Sequence, residues 1–386
     1  MKKVLFITRH YMHQKSGGSL CSRAYMFAFA KIFDSISIIY PTKKNVEMKD
    51  FLPKNASLYG CCDKRTKIKK ALYIYCGRIH RFDRFVKKHL MRNSYDLIVI
   101  DHSILACGII SYIKKKTKSK IITIHHNVER IYNRDNPQPL LIRFPYNYFA
   151  NKAEKDAINL SDLNIVLTKQ DKKFFYYWSE NQNKRPLYVV GIFENHDSVI
   201  LEDINREQNL THHILIISGS LNFHQTEEAI TTFLLNYYND IKRITPDVKL
   251  IITGREPTNK IKYLCQIDES ITLIESPKNI YNIIKKGSIY VSPIEGGSGI
   301  KLRVMDGLKL GVPVLCHDNS ARGYEDLVND GIIFTYHDMK TLEESYYAIL
   351  NCHLTHKDIY DKFESYFGFN VGVSKLRSIL TENNLL

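Results

Sequence analysis

The sequence PIEGGSGIKLRVMDGLKLGVPVL, which runs from Pro293 to Leu315, says more about the fold than any other stretch of the chain. It predicts the end of a strand, a glycine-rich turn, a helix that begins near Ile300, and an apolar strand after Gly-Val-Pro. A strand, a turn and a helix in this order are typical of parallel sheets covered by helices. The stretch therefore favours the α/β class.

The glycine turn in this stretch is suited to binding an anion. Gly296, Gly297 and Gly299 have no side chains, so a ligand can approach the bare backbone. The N–H groups and the positive dipole end of the following helix favour a negative charge there. Lys301, one residue into the predicted helix, adds a positive charge. The turn predicts a diphosphate site, and the alternative is a tight strand-to-helix turn without a ligand.

The rest of the chain extends this pattern to two domains, because 386 residues exceed what one hydrophobic core usually supports. We expect two Rossmann-like, doubly wound parallel-sheet domains that face each other across a cleft. The expected domains are residues 1–195 and 205–366, with a polar linker within 191–211. The predicted strands are residues 3–8, 35–40, 96–101, 120–124, 163–167, 187–190, 213–218, 249–253, 271–274, 289–292, 312–316 and 332–334.

Ligands of doubly wound sheets bind where parallel strands end, so residues at those points are candidates. Glycine leaves space for a ligand, histidine can donate a hydrogen bond to a sugar hydroxyl, and arginine can pair bidentately with phosphate oxygens. Each candidate has an alternative without a ligand: the glycines can belong to a plain loop, the histidine can be structural, and the arginine can lie on the surface. The candidates are Gly17 and Gly18 after the first strand, His126 after the fourth, Gly219 after the first strand of the second domain, and Gly254 and Arg255 after the next.

Asp306 lies five residues after Lys301 in the predicted helix. A carboxylate at this place suits hydrogen bonds to two vicinal hydroxyls, as on a ribose. The alternative is a helix-surface acid near the positive end of the helix dipole.

The two halves of the chain differ strongly in charge. Residues 1–190 contain 36 lysines and arginines and 14 acidic residues, whereas residues 191–386 contain 19 and 26. We therefore expect the first domain to face an anionic partner, which is membrane lipid, nucleic acid or a charged substrate.

A helix predicted over residues 64–93 carries much of this positive charge. Its apolar residues follow steps of three and four, with lysines and arginines between them. A basic amphipathic helix suits an anionic membrane surface, and the alternative is a solvated helix that packs on its own sheet. The apolar residues are Ile68, Leu72, Tyr75, Ile79, Phe82, Val86 and Leu90.

The eight cysteines show no C-x-x-C pair and no metal-ligand spacing, so we expect reduced thiols and no bound metal. No apolar run approaches the ~20 residues that span a bilayer. The sequence thus predicts a cytoplasmic location, peripheral at the inner face of the cytoplasmic membrane if the basic domain binds lipid.

Taken together, these motifs resemble the GT-B glycosyltransferases, specifically the large retaining group (group 1, family 4-like) related to sucrose synthases, mannosyltransferases and bacterial polysaccharide transferases. The resemblance covers most of the chain and is strongest over residues 252–315, which contain the Pro-x(3)-Gly-x-Gly-x-Lys turn. The other matching segments are Gly17-Gly18, His126-Asn127-Val128-Glu129, Ser218-Gly219-Ser220 and Gly254-Arg255-Glu256-Pro257.

The resemblance implies a nucleotide-diphosphate sugar donor, held mainly by the C-terminal domain without a metal or other cofactor. Lys301 binds the diphosphate, Asp306 takes the ribose, and His126 reaches the donor sugar. The acceptor, a glycan or a lipid-linked sugar, docks on the basic first domain, and residues 367–386 cross back to it. The implied catalytic residues are His126, Lys301 and Arg255, and the implied donor-binding residues are Gly17, Gly18, Gly219, Gly254, Arg255, Gly297, Ser298, Gly299, Ile300, Lys301 and Asp306.

The implied function is glycosyl transfer with retention in surface polysaccharide or glycolipid synthesis, such as that of capsule or lipopolysaccharide. Two alternatives stay open. One is a sugar-nucleotide epimerase of the same fold, which needs acid and base carboxylates at the donor sugar and is disfavoured by Ser298. The other is a catalytically inactive sugar-binding partner subunit, because two positions where the family often has glutamates hold Ser298 and Asp306. A nucleic-acid-binding protein is disfavoured, because base-stacking motifs with interleaved basic residues are missing from the sequence.

Overall fold

The computed structural model describes residues 2–14, 16–42, 52–62, 65–178, 185–194, 213–284, 289–297 and 299–386. The chain forms two compact units, Met1–His196 together with Gly368–Leu386, and Asp197–Phe367. The predicted linker, residues 191–211, lies outside the described residues from position 195 onward. Each unit is described by itself below.

The first unit is built on a parallel sheet whose central strands are continuous apolar runs. Val4–Thr8 and Leu97–Asp101 are buried along their whole length, as expected for strands that are covered on both faces. Over the described residues the strands are β1 (Val4–Thr8), β2 (Ile36–Thr42), β3 (Ala56–Cys62), β4 (Leu97–Asp101), β5 (Lys120–His125), β6 (Leu163–Val166) and β7 (Leu187–Val189), and they lie in the order β3-β2-β1-β4-β5-β6-β7.

Helices connect these strands. They are α1 (Gly17–Ile32), α2 (Lys67–Tyr75), α3 (Phe82–Leu90), α4 (Ile110–Lys116), α5 (Glu129–Asp135), α6 (Leu140–Leu160) and α7 (Lys169–Trp178), with a short 3-10 helix over Ser103–Ala106.

The second unit repeats the same arrangement. Over its described residues the strands are β8 (Ile214–Ser220), β9 (Lys249–Arg255), β10 (Ile271–Glu275), β11 (Ile289–Ser292), β12 (Val314–His317) and β13 (Ile333–Tyr336), all parallel in the order β10-β9-β8-β11-β12-β13. The helices are α8 (His224–Asn236), α9 (Tyr238–Ile244), α10 (Asn259–Gln266), α11 (Tyr281–Ile284), α12 (Arg303–Leu308), α13 (Glu325–Asn329), α14 (Met339–Leu350) and α15 (His356–Phe367).

Both strand orders confirm the predicted α/β class with two doubly wound sheets. All twelve predicted strands are present, with limits that differ by two residues or fewer. The prediction missed β3, which lies at the sheet edge and is mostly solvent-facing, with Leu58 38% exposed. Its sequence, ASLYGCC, lacks the apolar run that marked the buried strands.

The prediction of one long helix over residues 64–93 is wrong. The segment forms two helices, α2 and α3, and the chain turns between them at Gly77, whose φ is +72°. The predicted apolar stripe therefore has two different environments. Its α3 half is buried in the core, whereas its α2 half is exposed, with Ile68 75% exposed.

The helix α16 (Phe369–Glu382) belongs to the first unit, although it follows the second unit in the chain. It contacts α1, where the Lys31 ammonium donates a hydrogen bond of 2.9 Å to the Asn370 side-chain oxygen. The Phe193 ring lies directly against Gly372, because a Cβ at that glycine would be 2.1 Å from the ring. The absence of a side chain at position 372 therefore lets α16 pack closely against the rest of the unit.

We expect Gly372→Ala to destabilise the first unit by about 1–3 kcal/mol, because the added methyl group overpacks the contact with Phe193. Alanine in a helix otherwise stabilises a protein by about 1 kcal/mol relative to glycine. A loss of stability in Gly372→Ala would therefore identify the contact with Phe193 as its cause. Urea denaturation followed by the fluorescence of Trp178, the single tryptophan, reports on this unit. Ser374→Ala, at an exposed position of α16, is the control. An unchanged or increased stability of Gly372→Ala would contradict the packing.

Candidate functional site

The strand order of each sheet defines the place where a ligand is expected. In a doubly wound sheet, ligands bind outside the carboxyl ends of the strands at the point where the order reverses. That point lies between β1 and β4 in the first unit and between β8 and β11 in the second.

In the second unit, two predicted glycines face each other at the carboxyl ends of β8 and β9. Gly219 pairs with Gly254 in the register of the sheet, and a Cβ at Gly254 would be 1.9 Å from the Gly219 carbonyl oxygen. Gly254 is therefore required by the close approach of the two strands, whether or not a ligand binds beside it. Arg255 follows it as an exposed residue at the end of β9.

The glycine turn after β11 has the backbone conformation that only glycine adopts easily. The φ angles of Gly297 and Gly299 are +91° and +69°. The helix predicted to begin near Ile300 is present but begins three residues later, at Arg303, so the prediction that Lys301 lies within it is wrong. The Lys301 carbonyl accepts hydrogen bonds from the Val304 amide and from the Tyr324 hydroxyl (3.1 and 3.2 Å), which closes a turn rather than a helix at this point.

Two side chains of the second unit lie over the backbone of Gly297. A Cβ at this glycine would be 2.6 Å from Gln225 Nε2 and 2.8 Å from Lys301 Nζ. Thr226, next to Gln225, lies against Gly219, because a Cβ at Gly219 would be 3.0 Å from the Thr226 methyl group. The first turn of α8 thus links the segments that follow β8 and β11.

The structure therefore brings together four predicted residues of the second unit, which are Gly219, Gly254, Gly297 and Lys301. It adds Gln225, which the sequence analysis missed. Its position in the helix that follows the first strand of this unit could have identified it. Ile300 is partly buried beside the turn, and Ser298 lies outside the described residues.

Asp306 is buried, and cations lie beside both of its carboxylate oxygens. Arg303 Nη1 donates a hydrogen bond of 2.8 Å to Oδ2, and Lys309 Nζ lies 3.4 Å from Oδ1. Lys309 also donates to the Tyr281 hydroxyl at 2.9 Å. A ribose bound to Asp306 has to share the carboxylate with these two cations, and the ribose role stays a prediction.

In the first unit, His126 forms a buried pair with Asp101. Its Nε2 lies 2.7 Å from Asp101 Oδ1, and the two residues are 5% and 0% exposed. Burial opposes the protonated imidazole, but Cys21 and Asp101 outweigh burial and raise the pKa of His126 well above its usual range. Burial likewise opposes the ionised carboxyl of Asp101, yet His126 lowers its pKa. The pair is therefore a hydrogen-bonded ion pair at the carboxyl ends of β4 and β5.

Two further imidazoles stack against His126. The ring centroids of His10 and His102 lie 5.3 and 5.2 Å from that of His126. Burial and the charge of His126 lower the pKa of His10 to about 3, and burial lowers that of His102 well below its usual range. The cluster consequently holds one charged imidazole between two neutral ones. His10 is half-buried, whereas His102 and His126 are buried, so His10 is the most accessible of the three rings.

His102 has a strained backbone and a defined tautomer. Its φ of 102° is unusual for a residue with a side chain, and such strain is often found at functional sites. Its Nδ1 accepts a hydrogen bond from the Ile104 amide, so the proton is on Nε2, which lies 3.4 Å from Glu129 Oε1. Burial raises the pKa of Glu129 to about 7. Glu154 accepts a hydrogen bond from the Glu129 amide at 2.9 Å, and burial raises its own pKa too.

The predicted glycine loop after β1 lies beside the same cluster. The helix α1 begins at Gly17, with Ser16 as its N-cap. A Cβ at Gly18 would be 2.3 Å from His10 Cε1, so glycine at this position makes room for the His10 ring. The predicted contact of Gly17 and Gly18 with a donor stays a prediction.

The sequence analysis identified His126 but missed its partners His10, Asp101 and His102. Asp101 is the last residue of β4, His102 follows it directly, and His10 lies two residues after β1, so the rule that selected His126 could have found them. The cluster can donate and accept hydrogen bonds in a largely buried site. Over the described part of the chain, no group of three or more His, Cys, Asp or Glu side chains is arranged to hold a metal ion.

The architecture defines the class of protein: the two units have the GT-B fold. Similar solved structures span this whole chain at low sequence identity. A glycosyltransferase from Rickettsia africae aligns with a TM-score of 0.64 and 15% identity, covering 99% of this chain and 98% of its own. Sucrose-phosphate synthase from Thermosynechococcus elongatus aligns with a TM-score of 0.69 and 12% identity, covering 99% of each chain.

A third similar structure, HepE (Alr3699) from Anabaena, was solved in complex with UDP and glucose. It aligns with a TM-score of 0.63 and 12% identity, covering 99% of this chain and 100% of its own. At such identities the likeness establishes the fold alone.

Residues 212–351, which lie within the second unit, match the model of the family Glycosyl transferases group 1. The match confirms the predicted enzyme class, a glycosyltransferase. No curated protein sequence matches the chain.

We expect Asp101→Asn to lower the pKa of His126 and to destabilise the first unit by about 3 kcal/mol, because it removes one partner of a buried pair. Imidazole NMR signals give the pKa, and Trp178 fluorescence in urea gives the stability. Asp34→Asn, at an exposed position of the same unit, is the control, because the loss of an exposed carboxylate changes stability little. A His126 titration that is unchanged in Asp101→Asn would contradict the pair.

Glu129 is expected to make the stability of the first unit depend on pH. The pKa of the Glu129 carboxyl is 4.5 in an unfolded chain, whereas burial raises this pKa to about 7 in the folded unit. Between these values the folded state binds the extra proton, so rising pH lowers its stability, by up to about 3 kcal/mol. Glu129→Gln should therefore gain stability over the wild type as the pH rises through this window.

Urea denaturation at several pH values, followed by Trp178 fluorescence, tests this expectation. The exposed Glu382→Gln controls for the loss of one negative charge in the same unit. A difference between Glu129→Gln and the wild type that stays constant with pH would show that Glu129 is not held protonated.

Proposed function

We propose that the protein is a retaining glycosyltransferase that moves a sugar from a nucleotide-diphosphate sugar to a glycan or lipid-linked acceptor in the synthesis of a surface polysaccharide or glycolipid. One observation carries this proposal: Lys301 and Gln225 lie over the bare backbone of Gly297 at the switch point of the second unit. A cation and a side-chain amide beside a glycine backbone together suit the oxygens of a diphosphate. The family match of the same unit supports this assignment.

The donor is assigned by its chemistry. A nucleoside diphosphate is supported by the charge and backbone geometry of the turn, and the Anabaena structure with UDP and glucose supports UDP as one candidate. In our proposal Lys301 contacts the diphosphate, as do the backbone amides of Gly299 and Ile300, and Arg255 adds a second cation. Asp306 binds the ribose hydroxyls. Lysine and arginine provide the charge that other transferases take from a metal, so we propose no metal and no other cofactor.

The proposed reaction retains the configuration at the anomeric carbon. The acceptor hydroxyl attacks from the face on which the diphosphate leaves, and the bond from the anomeric carbon to the acceptor oxygen forms as the bond to the phosphate oxygen breaks. The hydroxyl proton passes to the departing phosphate. The nucleoside diphosphate leaves with its charge stabilised by Lys301 and Arg255. His126, kept protonated by Asp101, is proposed to act on the donor sugar, with His10 as the more accessible neighbour.

The acceptor is proposed to dock on the basic first unit. The excess of positive charge in residues 1–190 suits a phosphate-bearing lipid carrier or an anionic membrane surface. Among the described residues, none of the helices is both long and apolar enough to cross a bilayer. We therefore propose a cytoplasmic enzyme that binds the inner face of the cytoplasmic membrane.

Lys301→Ala is expected to lower turnover by about 10²–10³-fold, because it removes one stabiliser of the departing diphosphate. The measurement is nucleotide release from a panel of nucleotide sugars in the presence of a lipid-pyrophosphate acceptor. Lys340→Ala, at a side chain that is 84% exposed in the same unit, is the matched control. Wild-type turnover in Lys301→Ala with an unchanged melting curve would contradict the proposed site.

The same assay separates the other functions compatible with the fold. An isomerised donor without transfer would identify a sugar-nucleotide epimerase. Donor binding with neither product would identify an inactive partner subunit.

A further inference from the structure

An apolar surface lies on the first unit where α2 meets α6. The two helices are in contact, and the Tyr75 hydroxyl donates a hydrogen bond to the Leu141 carbonyl. We call this surface the α2–α6 face. Its large apolar side chains, each more than half exposed, are Ile68, Leu72, Tyr75, Leu140, Leu141, Phe144 and Tyr148.

Each of the two helices has one apolar side in the core and a second one in solvent. Ile74 of α2 packs in the core with Tyr146 and Ala150 of α6. The exposed residues follow steps of three and four along each helix, so they form stripes on the remaining side. A helix on a water-exposed surface needs only the core stripe. The second stripe, where Leu141 and Phe144 are 84% and 82% exposed, therefore indicates a binding surface.

The charges on α2 and on the first two-thirds of α6 have one sign, and Asp156 follows one turn later beside Lys152. Neither Lys67–Tyr75 nor residues 140–153 contain an aspartate or glutamate. Basic residues accompany the apolar stripes instead, and those of α2 are exposed. Lysines beside an apolar stripe complement anionic lipid headgroups above acyl chains. The basic residues are Lys67, Lys69, Lys70, Arg143 and Lys152.

We propose that the α2–α6 face docks on an anionic lipid bilayer, with Leu141 and Phe144 inserted below the headgroups and the α2 lysines among them. This deepens the proposed function and rests on it, because a membrane-bound enzyme meets a lipid-linked acceptor at the bilayer surface. The surface differs from the one that the sequence predicted. α3 is buried against its own sheet, and α6, which the sequence analysis did not single out, provides the most exposed apolar residues.

Flotation with vesicles tests the proposal on the full chain. Wild-type protein is expected to bind vesicles of phosphatidylcholine mixed with phosphatidylglycerol, to bind pure phosphatidylcholine more weakly, and to be released by salt. The double variant Leu141→Ser, Phe144→Ser is expected to lose at least about tenfold in affinity for the mixed vesicles. The matched control is Leu235→Ser with Tyr263→Ser, at positions of the second unit that are 61% and 62% exposed, and it should bind like the wild type.

A second variant tests the charges separately. Lys67→Gln, Lys69→Gln and Lys70→Gln together should weaken binding to the mixed vesicles and flatten its dependence on salt. The three residues are exposed, so this variant stays informative if the Leu141, Phe144 variant does not fold. Trp178 fluorescence in urea checks the folding of both.

Three results would overturn the docking proposal. The first is binding of the Leu141, Phe144 variant to mixed vesicles as strongly as the wild type, and the second is a wild type without preference for anionic lipid. The third is a dimer of the wild type, seen by light scattering without lipid, that the variant no longer forms, because the face would then cover a second copy. Nucleotide release measured without vesicles tests the transferase independently. It should be equal in the variant and the wild type, and its failure in the wild type would overturn the transferase while leaving the vesicle result intact.

Discussion

The candidate residues depend on one constraint, the parallel direction of the strands. A parallel strand is followed by a crossover to the next one, so all the loops that leave strands collect at one edge of the sheet. In the first unit this edge brings together His10, Asp101 and His126, which lie far apart in the sequence. In the second unit it brings Gly219 and the turn at Gly297 to the two sides of the first turn of α8.

Electrostatics decides how the cluster in the first unit can be polar and still be buried. Burial, together with the positive charges of Arg9 and His126, lowers the pKa values of His10 and His102, so these two imidazoles stay neutral. The charge of His126 is balanced by Asp101, and burial raises the pKa of Glu129 beside them to about 7. The result is a buried ion pair beside neutral imidazoles that can both donate and accept hydrogen bonds.

The sequence was sufficient where structure follows from local patterns. Buried parallel strands are continuous apolar runs, which is why twelve of them were predicted, and the half-exposed edge strand β3 was missed. The break between α2 and α3 and the late start of α12 could not be predicted in this way. Phe149 packs at Gly77, and the Tyr324 hydroxyl donates a hydrogen bond to the Lys301 carbonyl. Both contacts come from distant parts of the chain. Within the candidate site, glycines and His126 were found by their position after strands, but partners such as Gln225 depend on the packing of side chains.

The attachment of α16 to the first unit has a consequence for synthesis of the chain on the ribosome. The segment Asp197–Phe367 is effectively an insertion into a unit whose last helix is translated after it. The second unit can reach its final form as soon as its own residues have emerged, because domains generally fold as units. The first unit, by contrast, leaves the Phe193 ring without its partner Gly372 until translation of the helix is finished. Completion of the first unit therefore has to wait until the second unit has been synthesised.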